Sequence, residues 1–257
     1  SCDYDGSNYT SEQFTTRNIN ILNPSVIVDT TTTYGTLYVG TQEFLDPDYR
    51  PLIFRITINS DNSITTNVYE HTIHGGSSPL TALTLFNDST YGWCIYAARN
   101  TALYRFQLNL WGLTGFKPTL ILSPVWTESP IYSIYITNDY IYLSNPLFRF
   151  AKYNKSDNTL ISEITDYFKS GLSYINIIPK MNKAISFVIP IIATPAYTTP
   201  SFMYIFELDT LTIEKRYAIS GSSSRSGSIT QFVGVDDVQN TFMLFNQNAD
   251  TMIKIRF

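Results

Sequence analysis

The sequence predicts an all-β protein in which a unit of four antiparallel strands is repeated along the chain. Short runs of Ile, Val, Tyr, Phe and Thr alternate with clusters of Asn, Asp, Ser, Gly and Pro, which is the pattern of strands joined by turns. No long segment has the periodicity of an amphipathic helix. With 257 residues, 44% of them hydrophobic, the chain can bury a substantial core in one all-β domain.

Five copies of the unit can be aligned, and their first strands start 41 to 56 residues apart. Each first strand follows a Ser or Asn, and the five begin at Pro24, Pro79, Pro130, Gly171 and Gly227. The second strands begin at Thr36, Trp93, Tyr140, Ala184 and Thr241. The third strands begin at Leu52, Ala102, Leu147, Phe202 and Thr251. A constant order of elements at this spacing is typical of a repeat architecture.

A fourth strand ends each of the first four copies, at residues 63–73, 118–123, 159–165 and 211–219. The fifth copy stops at Phe257 without one, and a strand-like segment at residues 16–22 precedes the first copy. We therefore expect this N-terminal strand to complete the last sheet, because it would remove an exposed edge.

Four-stranded repeats of about 40 to 55 residues are the signature of β-propeller blades. The chain therefore resembles a five-bladed β-propeller of four-stranded antiparallel blades, over residues 14–257, with residues 1–13 as an N-terminal tail. The resemblance is to the architecture alone, because the sequence has no Trp-Asp series, kelch double glycine or Asp-box. It implies that the first strand of each blade lines a central channel. It also implies a binding face made of the loops between strands two and three and between successive blades.

Composition argues against two classes of partner. Only 15% of the residues are charged, and a net charge of −4 offers no electrostatic attraction for nucleic acid. The longest apolar stretch, residues 184–197, is too short for a membrane span and contains prolines. We expect neither a nucleic-acid partner nor membrane insertion.

Several features suggest an extracellular location. The chain starts at Ser1 without Met, as after removal of a signal peptide, although loss of an initiator Met would leave the same start. The two cysteines, Cys2 and Cys94, are predicted to form a disulfide; the alternative is two unrelated thiols, with Cys94 buried in an apolar strand. Three glycosylation sequons fall in segments expected to be exposed, at Asn8, Asn87 and Asn154.

Catalytic groups are scarce where a propeller enzyme would need them. A glycoside hydrolase requires two carboxylates across the scissile bond, and Asp29 is the only carboxylate in the five inner segments, which contain no Lys, Arg or His. Asp29 is therefore predicted to be a channel residue. Glu128 just precedes the third inner strand, near the rim of the channel, and is a candidate for a second carboxylate. The two histidines, His71 and His74, are three residues apart. This spacing places them on opposite faces of a strand, where they would not bind the same metal ion. We predict no catalytic residue, metal or cofactor.

Two loops and one tryptophan are the predicted binding residues. The loop from Gly40 to Pro51 is long and polar, and the loop from Pro190 to Pro200 is apolar and stiffened by prolines. Long loops on a rigid scaffold are where recognition residues concentrate. The residues predicted to contact a ligand or partner are Asp46, Asp48, Tyr49, Arg50, Trp126, Ile191, Ile192 and Tyr197. Alternatively, Trp126 and Tyr197 fold back as caps on the blade edges.

These observations favour a secreted or surface-exposed, non-catalytic recognition module that binds a protein or glycan through its loop face. The alternative is a structural protomer that assembles into an extracellular fibre, coat or surface layer through its apolar loop. A glycoside hydrolase of the five-bladed propeller type is the third hypothesis.

Overall fold

The computed structural model describes residues 19–29, 36–45, 48–61, 63–70, 80–110, 118–123, 125, 127, 130–145, 149–165, 175–178, 181–188, 201–219, 230–236, 241–246 and 251–256. Within them the chain forms five antiparallel sheets, four with four strands and one with three, and a 3₁₀ turn at Leu108–Leu110. The predicted all-β class with repeated antiparallel sheets is confirmed.

The sheets are numbered in chain order, and the strands of each lie side by side in sequence order. Sheet 1 contains β1 (Ile19–Asp29), β2 (Thr36–Leu45), β3 (Asp48–Ile58) and β4 (Ile64–Glu70). Sheet 2 contains β5 (Leu80–Asp88), β6 (Gly92–Arg99), β7 (Ala102–Gln107) and β8 (Thr119–Leu122).

The remaining three sheets repeat the same arrangement. Sheet 3 contains β9 (Ser133–Ile136), β10 (Tyr140–Asn145), β11 (Arg149–Asn154) and β12 (Leu160–Thr165). Sheet 4 contains β13 (Ile175–Ile178), β14 (Lys183–Val188), β15 (Ser201–Glu207) and β16 (Thr212–Ile219). Sheet 5 contains β17 (Thr230–Asp236), β18 (Thr241–Asn246) and β19 (Thr251–Arg256). All five second strands begin within one residue of the predicted position.

Residues 19–22, the described part of the predicted N-terminal strand, lie in a different sheet from the one predicted. Residues 19–22 belong to β1, and Ile19 and Asn20 pair with Glu43 and Gln42 of β2. The register shifts between Asn20 and Ser25, so the strand bulges where Pro24 lacks a backbone donor and then resumes pairing. These residues therefore extend sheet 1, and placing them as the outer strand of the last sheet was wrong.

The segment from Gly40 to Pro51 is also not the long loop that the sequence predicts. β2 continues to Leu45 and β3 starts at Asp48, so most of the segment is a hairpin. Its paired positions hold residue types that favour antiparallel pairing, an acid opposite a base (Glu43 and Arg50) and two aromatics opposite each other (Phe44 and Tyr49). Pairing of backbone groups along both arms outweighs the loop preference of the polar residues.

The chain divides into two compact units, Ser1–Asn100 with Tyr104–Thr119, and Thr101–Leu103 with Leu120–Phe257. In the first unit, sheets 1 and 2 pack through one hydrophobic cluster. Its buried members are Tyr38, Ile53, Leu80, Ile95, Ala97 and Phe106. A second cluster of Val39, Leu52, Phe54 and Ile56 buries the other face of sheet 1. Both faces of sheet 1 are therefore apolar and buried.

The second unit contains an aromatic cluster between sheets 3 and 4. Tyr142 and Phe150 of sheet 3 pack with Tyr204 and Phe206 of sheet 4. The rings of Phe150 and Phe206 meet edge to face with centroids 5.9 Å apart, a favoured geometry for aromatic pairs. Burial raises the pKa of Tyr142 to about 12, and the Asp209 carboxylate contributes to the rise.

The turns between the third and fourth strands repeat one device in sheets 1 and 3. The Asp61 carboxylate accepts hydrogen bonds from the backbone N–H and hydroxyl of Ser63. Asp157 accepts the same pair of bonds from Thr159. In each turn the hydroxyl bond, followed by the backbone bond, lowers the pKa of the carboxyl group. In sheets 1 and 3 the Asp of the motif Asp-Asn-Ser/Thr thus forms an Asx turn that follows the third strand.

Candidate functional site

A cleft of about 340 Å³ opens between sheets 1 and 2 within the first unit. It lies at the end of the sheets where strand one joins strand two and strand three joins strand four. The lining residues are Tyr38, Arg55, Tyr91, Gly92, Trp93, Leu108 and Asn109. The cleft therefore combines aromatic rings, one guanidinium group and one amide.

Sheet 1 contributes a tyrosine and an arginine from neighbouring strands. Tyr38 of β2 and Arg55 of β3 are Cα partners, so both side chains project from the face that packs on sheet 2. Tyr38 is only 2% exposed and belongs to the hydrophobic cluster between the sheets. Arg55 is partly buried, and no acceptor among the described residues bonds its buried Nε. The guanidinium group thus lies at the border between the apolar core and the cleft.

Sheet 2 contributes an exposed tryptophan. Trp93 stands two residues before Ile95 and four before Ala97, so it shares their face of β6. Ile95 and Ala97 are buried against sheet 1, whereas Trp93 is 39% exposed. The inward face of β6 therefore extends one residue past the buried core, and that residue is Trp93, whose indole ring lies at the cleft.

The turn that carries the second aromatic ring is held by a buried carboxylate. Asp88 is 2% exposed, and its Oδ1 accepts hydrogen bonds from the backbone N–H groups of Thr90 (2.9 Å) and Tyr91 (3.4 Å). The Tyr96 hydroxyl donates to Asp88 Oδ2 at 2.8 Å. Burial, followed by this bond and the Asp88 charge, raises the pKa of Tyr96 well above its usual value. Asp88 thus determines the path of the chain into Tyr91 and Gly92.

The Tyr91 ring is held from one side by Arg105. The guanidinium carbon of Arg105 lies 3.4 Å from the ring centroid, a close cation–π contact. Tyr91 remains 38% exposed, so part of the ring is open to a ligand. Gly92 completes the turn with φ of +70°, a conformation that favours glycine.

The chemistry of this lining suits binding. Exposed aromatic rings stack on apolar faces, a guanidinium group pairs with anions, and an amide exchanges hydrogen bonds with hydroxyl groups. The described lining residues include neither Asp nor Glu, the residue types that glycoside hydrolysis uses in pairs. Among the described residues, no group of His, Cys, Asp and Glu is placed to hold a metal ion.

The residues predicted to contact a ligand lie elsewhere or outside the described residues. Asp48, Tyr49 and Arg50 begin β3, and their side chains are not described. Asp29 ends β1 as the Cα partner of Thr36, and its side chain is likewise not described. The predicted contacts outside the described residues are Asp46, Trp126, Ile191, Ile192 and Tyr197.

Other predicted sites are partly described. Asn87 is exposed in β5, as the Cα partner of Trp93, and so shares the face that carries the cleft. Asn154 ends β11 and its Oδ1 accepts bonds from the backbone N–H and hydroxyl of Ser156. Asn8 lies outside the described residues, as do Glu128, His71 and His74.

The structure describes one of the two cysteines of the predicted disulfide. Cys94 is completely buried in the apolar strand β6. Cys2 lies outside the described residues, and no disulfide is found within them. Across the same part of the chain, no helix is long and apolar enough to cross a membrane.

Sequence reasoning missed Arg55, Tyr91 and Trp93 because it looked for binding residues at the opposite end of the strands. The available signal was the alternation along β6: Trp93 shares the face of Ile95 and Ala97 and stands at the start of the strand, next to the turn. The cleft also needs Arg55 from a different sheet. The contact between Arg55 of sheet 1 and the residues of sheet 2 depends on how the two sheets pack, and the sequence pattern of a single strand does not reveal that packing.

Comparison with known proteins supports the fold and is silent on activity. No protein-family model matches the chain, and no curated protein is significantly similar to it in sequence. A crystal structure of Chaetomium thermophilum Raptor matches over 91% of this chain, with a TM-score of 0.61 and 8% identity, and the match covers 20% of that protein. The computationally designed Ika4 protein matches over 72% of this chain and 96% of its own, with a TM-score of 0.48 and 10% identity. The chain therefore shares a fold with a fraction of the Raptor chain.

Proposed function

We propose that the chain is a non-catalytic recognition module, a five-bladed β-propeller over residues 14–257 that is secreted or displayed at a surface. Its ligand is a glycan or a protein. The observation that carries the proposal is the cleft formed by Arg55, Tyr91 and Trp93 between sheets 1 and 2. Five sheets with one order of strands support the propeller.

A glycan is the better match to the cleft. The Trp93 and Tyr91 rings, each more than a third exposed, offer apolar surfaces for a sugar ring. Asn109 is exposed at the rim and supplies both a donor and an acceptor for hydroxyl groups. The volume of about 340 Å³ is at the lower end of ligand pockets and suits one or two sugar rings.

The test is binding of the intact protein to an array of glycans, repeated with two single-tryptophan variants. Trp93→Ala is expected to abolish binding, whereas Trp126→Ala is expected to leave it unchanged. Loss with Trp126→Ala alone would move the site to the predicted loop face. Binding that survives both substitutions would reject the cleft as the ligand site. Thermal unfolding of each variant shows whether the fold is retained.

The proposed location has its own test, the mass of the natively produced protein before and after glycosidase treatment and reduction. Sugar on Asn8, Asn87 or Asn154, together with a Cys2–Cys94 link, would support secretion. An unmodified mass with two thiols would instead favour an intracellular recognition module.

Self-assembly is a second candidate, favoured by the outer strands of sheets 2, 3 and 4. These edge strands expose large apolar side chains, namely Leu120 of β8, Leu160 and Ile161 of β12, and Ile213 and Tyr217 of β16, each 44% to 53% exposed. Exposed apolar edges favour contact with another copy. Sedimentation at increasing concentration should show association that Ile161→Lys and Ile213→Lys remove, and a concentration-independent monomer would exclude this candidate.

A further inference from the structure

We propose that the cleft is specific for an acidic saccharide, whose carboxylate pairs with Arg55 while its sugar ring stacks on Trp93. This inference rests on the proposed recognition function and names its ligand class. It follows from three properties of the described part of the cleft: a guanidinium group with no ion-paired carboxylate among the described residues, an exposed indole on the facing sheet, and no acidic side chain among the described lining residues.

The first step concerns the charge of Arg55. Its Nε is buried and has no hydrogen-bond acceptor among the described residues, and no carboxylate there forms an ion pair with it. A guanidinium group that lines a cleft without a carboxylate partner can gain charge-assisted hydrogen bonds from an anionic ligand. The paired N–H donors of the planar guanidinium group match the two oxygens of a carboxylate. An anionic group is therefore the natural partner at this end of the cleft.

The second step concerns the electrostatics around that group. Among the lining residues that the structure describes, Arg55 is the only one with a charged side chain. The nearest carboxylate on the facing hairpin, Asp88, is 2% exposed and holds the Tyr91 turn and the Tyr96 hydroxyl. Arg105 stacks on Tyr91, so its charge adds to that of Arg55 rather than opposing it. The described lining thus carries a positive charge, on a chain whose net charge is −4.

The third step concerns the ring surface. One side of the Tyr91 ring is covered by Arg105, whereas Trp93 has no such partner among the described residues. Trp93 therefore provides the open stacking surface, opposite the sheet that carries Arg55. A carboxylate on one edge of a saccharide ring and an apolar C–H face would meet both groups at once. Asn109 then remains for the ring hydroxyl groups.

The experiment compares matched pairs of glycans that differ by one acidic group. The probes are methyl glucuronide against methyl glucoside, and arrayed glycans with and without a terminal uronic or sialic acid. The wild-type protein is expected to bind the acidic member at least tenfold more tightly. Arg55→Gln should remove this preference, and Arg55→Lys should retain only part of it, because an ammonium group lacks the guanidinium fork.

Arg149→Gln is the matched control, since Arg149 is an arginine on a third strand that forms an ion pair with Glu163 and does not line the cleft. Its acid preference should equal that of the wild type. Equal binding of acidic and neutral members would overturn the acidic class and leave the recognition function intact. Absence of binding to every glycan would overturn the acidic class together with the glycan form of the function. Tight binding of sulfated or phosphorylated probes in place of carboxylates would show a different anion and also overturn it.

Discussion

The ammonium group of Lys152 lies 4.0 Å from the centre of the Tyr140 ring, although the lysine side chain is only 4% exposed. The same nitrogen donates to the backbone carbonyls of Asp209 (3.1 Å) and Leu208 (3.4 Å) in the turn after β15. A lysine of sheet 3 is therefore bonded to a turn of sheet 4. A buried cation is tolerated here because two carbonyl dipoles and an aromatic face replace its hydration.

Lys152→Met is expected to lower the free energy of unfolding by about 1–3 kcal/mol, because two charge-assisted hydrogen bonds and the cation–π contact are lost while the aliphatic stem is retained. Chemical denaturation followed by circular dichroism measures the change. Lys215→Met, the same substitution at an exposed position of β16, should change stability by less than about 0.5 kcal/mol. Equal effects of the two substitutions would show that the buried contacts contribute nothing.

The close approach of sheets 1 and 2 depends on Gly40. A Cβ atom at this position would lie 2.9 Å from Cδ1 and 3.3 Å from Cγ of Leu83. Gly40→Ala should be mild, because the end of a leucine side chain can shift, whereas Gly40→Val should destabilise by about 1–3 kcal/mol through overpacking. Leu83→Ala makes room for the added methyl groups, so a double-mutant cycle should show that Gly40→Val is less harmful in that background. Additive effects would contradict the proposed contact.

The order of strands was predictable because it depends on local chemistry. Alternating β-formers and turn residues determine where each strand starts, which is why the five second strands begin within one residue of prediction. The same local reasoning failed for the Gly40–Pro51 segment. Polar residues on both sides of Asp46-Pro47 indicate a loop, yet their residue types also pair well across a hairpin. Choosing between the two requires the register, and register depends on sheet 1 as a whole.

The cleft was less predictable for a related reason. Arg55 and Trp93 are 38 residues apart in the sequence and meet because sheets 1 and 2 pack through Tyr38, Ile53 and Ile95. Each residue alone fits an ordinary amphipathic strand. Only the packing of one sheet on the next converts an inward-facing arginine and a terminal tryptophan into opposite walls of one cleft.

The Asp88–Tyr96 bond should support both the stability of sheet 2 and the shape of the cleft. Tyr96→Phe removes a 2.8 Å hydrogen bond to a buried carboxylate, for which we expect a loss of about 1.5–3 kcal/mol in unfolding free energy. Tyr153→Phe is a matched control, because Tyr153 is also buried and its hydroxyl has no hydrogen bond to a described residue. Denaturant titration of both variants makes the comparison. A Tyr96→Phe protein as stable as the Tyr153→Phe protein would contradict this role of Asp88.

Alkaline pH should destabilise the protein through its buried tyrosines. Burial raises the pKa of Tyr142 from 10.0 to about 12, and burial followed by the Glu163 charge does the same for Tyr153. Below pH 10 both phenols are protonated in the folded and unfolded states, so they add no pH dependence. Between pH 10 and 12 the unfolded chain loses these protons while the folded chain keeps them, and unfolding free energy should fall by about 1.4 kcal/mol per pH unit for each tyrosine. Denaturant titrations at pH 9, 10, 11 and 12 measure the unfolding free energy as a function of pH. In the Tyr142→Phe variant, the fall in unfolding free energy per pH unit should be smaller by the contribution of one tyrosine. An unchanged slope in that variant would show that Tyr142 ionises equally in both states.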